Sequence, residues 1–145
     1  MKALNYTAPI GRTLLGLIFV VSGAIKLVNW DQTASYMTAK GLPLVPVLLA
    51  LAAITELVGG ICVIIGYRTD VAGLALFLYM IPVTLVFHRF WGVAGAEGKM
   101  QLINFLKNLS IMGGLLALAA ASPTHVSVDE ARARKHPHGA TPTMT

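Results

Sequence analysis

Charged residues are scarce in this sequence, since Asp, Glu, Lys and Arg together make up only 12% of its 145 residues. A soluble domain carries about 25% charged residues. Here hydrophobic residues make up 56% of the chain, and the mean hydropathy is +0.73. This composition excludes a water-soluble globule and predicts an integral membrane protein.

Cysteine is almost absent as well. Cys62 is the single cysteine and lies inside an apolar stretch, so an internal disulfide and a Cys-x-x-Cys thiol relay are both excluded. We interpret Cys62 as a small buried hydrophobic residue. Histidine is sparse too, with four residues in the chain. His136 and His138, close to the C-terminus, form the nearest pair, and we interpret them as ordinary polar residues. We therefore predict no metal site.

The positive charge of the chain does not form a patch for nucleic acid. The formal net charge is +5, but the basic residues are scattered along the sequence. A short group near the C-terminus (Arg132, Arg134 and Lys135) is the exception. Such a group beside a membrane span suits contact with anionic lipid. We therefore expect the lipid bilayer, and no nucleic acid, as a partner.

Four apolar stretches cover residues 10–28, 44–66, 71–87 and 102–121. A helix needs about 20 residues to cross ~30 Å of hydrocarbon, and each stretch approaches that length. The sequence thus predicts an all-α protein, with a four-helix membrane bundle over residues 1–121. The polar residues 122–145 are predicted to form a disordered tail. A cleaved signal peptide is the alternative for the first stretch, although three spans would still anchor the chain.

The connections between the stretches are uneven. Residues 67–70 form a tight turn, so the second and third stretches are expected to be antiparallel neighbours. Residues 29–46 read as an amphipathic or irregular loop, and residues 88–101 as a glycine-rich loop. Four spans put both termini on one side of the membrane. Slightly more basic residues fall on that side, which favours cytoplasmic termini.

Glu56 stands in the middle of the second apolar stretch. A carboxylate at that depth costs several kcal/mol unless it is paired, hydrated or protonated. Its neighbours three and four positions away along a helix are all small, namely Ala52, Ala53, Gly59 and Gly60. Small residues mark the faces on which membrane helices approach each other. Glu56 is therefore predicted to point into the bundle.

Cationic side chains from the other stretches are expected above Glu56. Antiparallel spans bring Lys26, His88 and Lys107 toward the membrane surface opposite the termini, with Glu56 deeper in the bundle. One interpretation is a structural ion pair of Glu56 with Lys26 or Lys107 that fixes helix register. The other is a polar pocket for an anionic or quinone-like ligand, or a proton path to it. For His88, a position at the membrane interface remains the alternative.

Three segments carry a family resemblance. "GRTLLGLIFVVSGAIKL" has an arginine near its start and a Gly-x-x-Lys ending at Gly23 and Lys26. "ITELVGGICVIIGYRTDVAGLAL" carries Glu56 and runs through a basic turn into the third stretch, and "NFLKNLSIMGGLLAL" contains Lys107 and Asn108. In order and spacing these segments resemble the DoxX family of small bacterial membrane proteins.

The resemblance covers about residues 10–121 and implies a role that composition alone does not. DoxX proteins are associated with quinone-linked oxidation of thiosulfate and with redox homeostasis. The resemblance implies an inner-membrane four-helix bundle with a redox partner, because a complete oxidoreductase would need another subunit. Our first hypothesis is that the bundle contributes a quinone or small-molecule pocket to a redox complex. The ligand-binding residues that the resemblance suggests are Lys26, Glu56, Lys107 and Asn108, and we add His88 from its expected position.

Two other functions stay open from the sequence. One is a non-enzymatic scaffold that anchors a partner protein through the bundle and the basic tail. The other is a conductor of protons or small solutes formed by homo-oligomerisation. Whether the chain is itself catalytic also stays open, and quinone is the cofactor that the first hypothesis names.

Overall fold

A computed structural model describes residues 6–135 of the chain and is helical throughout that range apart from its connections. Four helices are long and apolar enough to cross a membrane. The prediction of an all-α, four-span membrane protein is therefore confirmed. In chain order the helices are α1 (Thr7–Val28), α2 (Trp30–Ala39), α3 (Val45–Ile65), α4 (Thr69–Phe87), α5 (Gly95–Ala120) and α6 (Val128–Lys135).

The four spans pack as two pairs that α3 and α4 join. Helix α1 packs most extensively on α3, and α4 on α5, with α3 against α4 between the pairs. The α1–α3 contact is very close: a Cβ atom at Gly16 would lie 2.7 Å from the carbonyl oxygen of Gly60, and one at Gly60 would lie 2.9 Å from that of Gly16. Only glycine permits this approach, which follows the small-residue rule of membrane helix packing.

The core of the bundle is small, and most of its apolar surface faces outward. Leu49, Val63, Leu76 and Leu115 are fully buried. Many other leucine, isoleucine and valine side chains are exposed, including Leu14 at 68%. In water such a surface would drive aggregation, whereas lipid tails solvate it without penalty. The exposed apolar belt thus agrees with a protein that spans a bilayer.

Two connections contain more helix than the sequence predicted. Residues 29–46 include α2, whose Met37 is buried against Val45 and Leu49. In addition, Tyr36 on α2 stacks on Phe87 at 5.6 Å between ring centroids. These contacts stabilise a polar helix that apolar periodicity alone does not reveal.

The second difference concerns the glycine-rich loop. Residues 88–101 were expected to be loop, but α5 already begins at Gly95. Its first turns, "GAEGKMQ", are polar and precede the apolar run. A search for apolar stretches therefore detects only the later part of α5.

The segment after α5 is ordered over its described part, residues 122–135, where the sequence predicted disorder. Arg12 on α1 is 2% exposed and is surrounded by this segment. Its Nη1 donates to the Thr124 hydroxyl and, at 3.1 Å, to the His125 carbonyl oxygen. Its Nη2 donates to the Val126 carbonyl oxygen at 2.7 Å. The buried cation thus fastens the segment to the bundle.

Asp129 makes the second attachment, at the start of α4. Its carboxylate accepts the backbone N–H groups of Arg68 at 2.8 Å and Thr69 at 2.9 Å, and its own N–H donates to the Gly66 carbonyl oxygen at 2.9 Å. The first N–H groups of a helix lack partners within the helix, so this carboxylate caps α4. The prediction of disorder missed the docking because it depends on distant partners rather than on local hydropathy. The tail residues His136 and His138 lie outside the described residues.

Candidate functional site

Glu56 lies at the centre of a hydrogen-bonded cluster that joins three helices. It is 4% exposed and faces the bundle interior, as its small neighbours predicted. The Lys26 ammonium on α1 donates to both carboxylate oxygens, at 2.9 Å to Oε1 and 2.8 Å to Oε2, and to the Ser22 hydroxyl at 2.8 Å. The Tyr79 hydroxyl on α4 donates to Oε1 at 2.8 Å. We call these four residues the Glu56 cluster.

The helices position this cluster through two features of the sequence. A long side chain on a helix points back toward the N-terminus, so Lys26 reaches past its own turn to Ser22 and to the deeper Glu56. Gly23 provides the space beside it, because a Cβ atom there would lie 3.2 Å from the Glu56 Cβ atom. The same α1–α3 contact that needs glycine therefore brings the two charges together.

The charges in the Glu56 cluster are strongly interdependent. Both side chains are largely shielded, with 21% of Lys26 and 6% of Glu56 exposed. Removing one partner of a buried pair leaves an uncompensated charge, at a cost of about 3–5 kcal/mol. The ion pair therefore ties α1 to α3, and Tyr79 links the pair to α4.

The Glu56 cluster forms part of the wall of a large cavity. The cavity has a volume of about 970 Å³ and is lined by residues of all four spans and of α2. Ligand pockets in proteins commonly measure about 300–1,000 Å³. The apolar part of the wall includes Leu17, Val21, Ile25 and Leu51, which are about half exposed on the outside of the bundle. The cavity is thus reached from the side on which lipid would lie.

His88 and Asn108 also line this cavity. The Asn108 side-chain amide donates to the Thr84 hydroxyl at 3.1 Å, and Thr84 is 2% exposed. The His88 Nδ1 atom lies 3.2 Å from the Gln101 side-chain oxygen. These two hydrogen bonds join α5 to the C-terminal end of α4. Together they give the cavity polar groups in addition to the Glu56 cluster.

Lys107 takes a different position from the one that the sequence suggested. It is exposed on α5, and the cavity lining includes its neighbour Asn108 but not Lys107 itself. Asn108 pairs with Thr84, which lies one turn from the end of α4, so Lys107 is close to a membrane surface. A lysine at that depth can extend its ammonium into the interface. Lys26, Glu56, His88 and Asn108 thus share one cavity, and Lys107 lies outside it.

Neither Tyr79 nor Ser22 was among the residues proposed from the sequence. A tyrosine hydroxyl in the middle of an apolar span needs a hydrogen-bond partner. The tyrosine of the third stretch therefore carried a signal that was readable without the structure. Ser22, one turn before Lys26, carried a weaker one, because serine often hydrogen-bonds within its own helix.

A metal centre receives no support within residues 6–135. No group of three or more His, Cys, Asp or Glu side chains there is arranged to hold a metal ion. Cys62 is a half-buried free thiol packed against the core of the bundle.

Comparisons with known proteins find a matching family and two similar bacterial membrane proteins. The family described as DoxX matches residues 8–89. The inner membrane protein YphA of Escherichia coli (strain K12) is 30% identical over 120 residues, which cover 83% of this chain and 86% of that protein. The inner membrane protein YqjF of the same organism is 32% identical over 120 residues, which cover 83% and 87%. No solved structure matches the chain.

A more distant similarity reaches a eukaryotic protein. The ER-derived vesicles protein ERV29 of Saccharomyces cerevisiae is 31% identical over 77 residues, which cover 53% of this chain and 25% of that protein. The family match over residues 8–89 includes the whole Glu56 cluster and His88. It ends before Lys107 and Asn108.

Proposed function

This chain belongs to the DoxX family and is a multi-pass protein of the bacterial inner membrane, and on that premise we propose that it is the membrane subunit of a quinone-linked redox complex. In this proposal the cavity between the helices binds the quinone. Electrons come from a separate redox partner. The chain itself supplies the binding site and the groups that exchange protons.

The observation that carries this proposal is the Glu56 cluster on the wall of a lipid-side apolar cavity. A quinone combines a polar ring with a long apolar tail. The apolar wall at Leu17, Val21 and Leu51 suits the tail. The buried carboxylate of Glu56 and the hydroxyl of Tyr79 suit the ring, because polar groups inside a membrane protein mark ligand or proton pathways.

Proton exchange is the second contribution of the chain. Reduction of a quinone consumes protons as well as electrons. Glu56, Tyr79 and His88 are titratable groups in the cavity wall, and His88 lies at the end of α4, nearest to one membrane surface. In the proposed role His88 connects the cavity to water, the Glu56 carboxylate accepts protons close to the ring, and the Tyr79 hydroxyl is hydrogen-bonded to it.

The experiment that tests this proposal measures the quinone content of the purified protein. We expect the wild-type protein, isolated in lipid nanodiscs and extracted with solvent, to contain bound quinone. Glu56→Gln should lose most of it while it still inserts and folds, because the amide retains the shape but not the charge. Lys107→Met is the matched control, since it removes a membrane-helix charge outside the cavity, and it should retain the quinone.

Two results would contradict the proposal. One is a wild-type protein without quinone above the level of the surrounding lipid. The other is a folded Glu56→Gln variant whose quinone content equals that of the wild type. The second result would leave the Glu56 cluster a structural link between helices and would favour a scaffold function.

We also propose that both termini lie in the cytoplasm. The basic residues of α6 (Arg132, Arg134 and Lys135) support this orientation, because positive residues beside membrane spans are retained on the cytoplasmic side. A cysteine introduced at Lys135 in a Cys62→Ala background should resist an impermeant thiol reagent in intact cells. It should react after the cells are opened. Labelling in intact cells would reverse the orientation.

A further inference from the structure

We infer that the groove between α6 and the end of α3 binds one anionic phospholipid molecule, with its phosphate at Arg134 and Lys135 and an acyl chain along the outer face of α3. This site is separate from the Glu56 cluster and does not rest on the proposed quinone role. The sequence indicated only a general attraction of the basic group for anionic lipid. The docked α6 adds a shaped groove and an apolar track that leads from it into the bilayer.

The groove is fixed by contacts between α6, the segment before it and the bundle. The Val126 backbone is held on both sides: its carbonyl oxygen accepts from Arg12 at 2.7 Å, and its N–H donates to Glu130 Oε2 at 2.7 Å. The segment also approaches the end of α3 closely at Gly66, where a Cβ atom would overlap the Ser127 side chain. The groove is therefore formed before any ligand arrives.

The apolar part of the groove wall comes from both α3 and the docked segment. The groove has a volume of about 750 Å³. Ile65, Val126 and Val128 line it, and all three side chains are exposed. Exposed apolar side chains next to charged ones, at the end of a membrane span, suit the boundary between lipid head groups and acyl chains.

The charged part of the wall carries a net positive charge. It consists of Arg134, Lys135 and Glu130. Glu130 already accepts from the Val126 N–H at 2.7 Å and from Arg134 Nη2 at 2.8 Å. A guanidinium has five N–H donors and an ammonium has three, so donors of both cations remain for a ligand. Such charge-assisted donors bind phosphate oxygens.

An apolar track continues from the groove along the lipid-facing side of α3. It consists of exposed side chains three or four residues apart, namely Ile54, Val58, Ile61 and Ile65. Residues with this spacing share one face of a helix. They cover about 16 Å along the helix axis, which is about half of the ~30 Å hydrocarbon core. The track therefore matches the length of an acyl chain in one leaflet.

The position of the groove selects a phospholipid as its occupant. The Asp129 carboxylate accepts the Thr69 N–H at the first residue of α4, so α6 lies at the membrane surface that the two termini share. Lipid phosphates lie at the same depth. A phosphate linked to an acyl chain fits the cations and the apolar track together, whereas a free anion would use the cations alone. Each Lys or Arg near anionic lipid corresponds to about a fivefold change in affinity.

The test titrates the whole protein in detergent micelles with two lipids that have the same acyl chains, and native mass spectrometry counts the bound lipid. Palmitoyl-oleoyl-phosphatidylglycerol (POPG) is anionic, and palmitoyl-oleoyl-phosphatidylcholine (POPC) has no net charge. We expect one POPG molecule to bind tighter than POPC by about fivefold or more. Equal affinity for the two lipids would overturn the inference. A dimer of the chain that forms in place of the lipid complex would also overturn it.

Two variants separate the groove from a general attraction between charges. Arg134→Gln/Lys135→Gln removes both cations of the wall and should abolish the preference for POPG. Ala131→Trp fills the groove without changing the charge, because Ala131 lines it, and should abolish the preference as well. A preference for POPG that survives in either variant would overturn the inference.

The matched control is Arg89→Gln/Lys99→Gln. It lowers the net charge by the same amount, but these two exposed cations lie at the end of α4 and the start of α5, on the opposite membrane surface. This variant should retain the preference for POPG. A loss equal to that of Arg134→Gln/Lys135→Gln would show a diffuse attraction without a site, and would overturn the inference.

Discussion

At the scale of single residues, Glu56 depends on partners from two other helices. The sequence left Lys26 and Lys107 as equal candidates for its counter-ion. The structure selects Lys26, because the glycines of α1 and α3 bring these helices into backbone contact. That choice was not readable from the sequence, since nothing in the spacing of charges says which pair of helices approaches most closely. The inward direction of Glu56 was readable, because its neighbours along α3 are small.

The ion pair of Lys26 and Glu56 leads to a stability prediction. Glu56→Leu and Lys26→Met each leave one buried charge without its partner, so each should lower the free energy of unfolding by about 3–5 kcal/mol. The double variant buries neither charge and should regain most of that loss. Thermal unfolding in detergent, followed by circular dichroism, measures these differences.

The control for this comparison is Lys107→Met, which should leave the unfolding temperature unchanged because Lys107 is exposed near a membrane surface. If the losses in the two single variants simply add in the double variant, Lys26 and Glu56 are not energetically coupled. The hydrogen bonds between them would then not hold the helices together.

At the scale of elements, hydropathy predicted the four spans well and the polar helices poorly. The bounds of α1, α3 and α4 lie close to the predicted stretches, because lipid contact demands an unbroken apolar run. Helix α2 and the first turns of α5 are polar and escape such a search. Helix α6 had a local signal that was not used: Ser127 accepts from the Glu130 N–H at 3.0 Å, as in a capping box. Its docking partners, however, come from distant parts of the chain.

The attachment of α6 through Asp129 predicts a dependence on pH. Burial opposes ionisation of this carboxyl, but the hydrogen bonds from Thr69 and Arg68 and the charge of Arg132 outweigh it and hold its pKa below the ordinary value. A carboxyl with a lowered pKa in the docked state stabilises docking above its undocked pKa. It loses that contribution as the pH falls through the docked value. Docking should therefore be constant above about pH 4 and weaken below it.

Fluorescence anisotropy of a dye attached at Lys135→Cys, in a Cys62→Ala background, measures this docking. Asp129→Asn should show low anisotropy at neutral pH, because it removes the charge that caps α4. Asp70→Asn, an exposed carboxyl in the first turn of the same helix, is the control and should behave like the parent. An Asp129→Asn variant with the anisotropy of the parent at neutral pH would mean that Asp129 does not hold α6.

At the scale of the whole molecule, the two helix pairs border a cavity that is open on the side on which lipid would lie. The exposed apolar belt, the four spans and the family membership all indicate a protein that spans a membrane. In the proposed function, the cavity is the place where an amphipathic ligand meets the buried Glu56 carboxylate. A composition search cannot find such a cavity, because it is formed by residues from five helices that are far apart in the sequence.

The most direct test of the central claim is photolabelling of the wild-type protein in nanodiscs with an azido-quinone, followed by peptide mass spectrometry. We expect labelling of cavity residues on α1, α3 and α4, with the sites clustered around Ser22, Glu56 and Tyr79. Excess unlabelled quinone should compete with this labelling. Labels spread over the exposed faces of α5, without competition, would show that quinone contacts this protein only as a lipid, and would contradict the account.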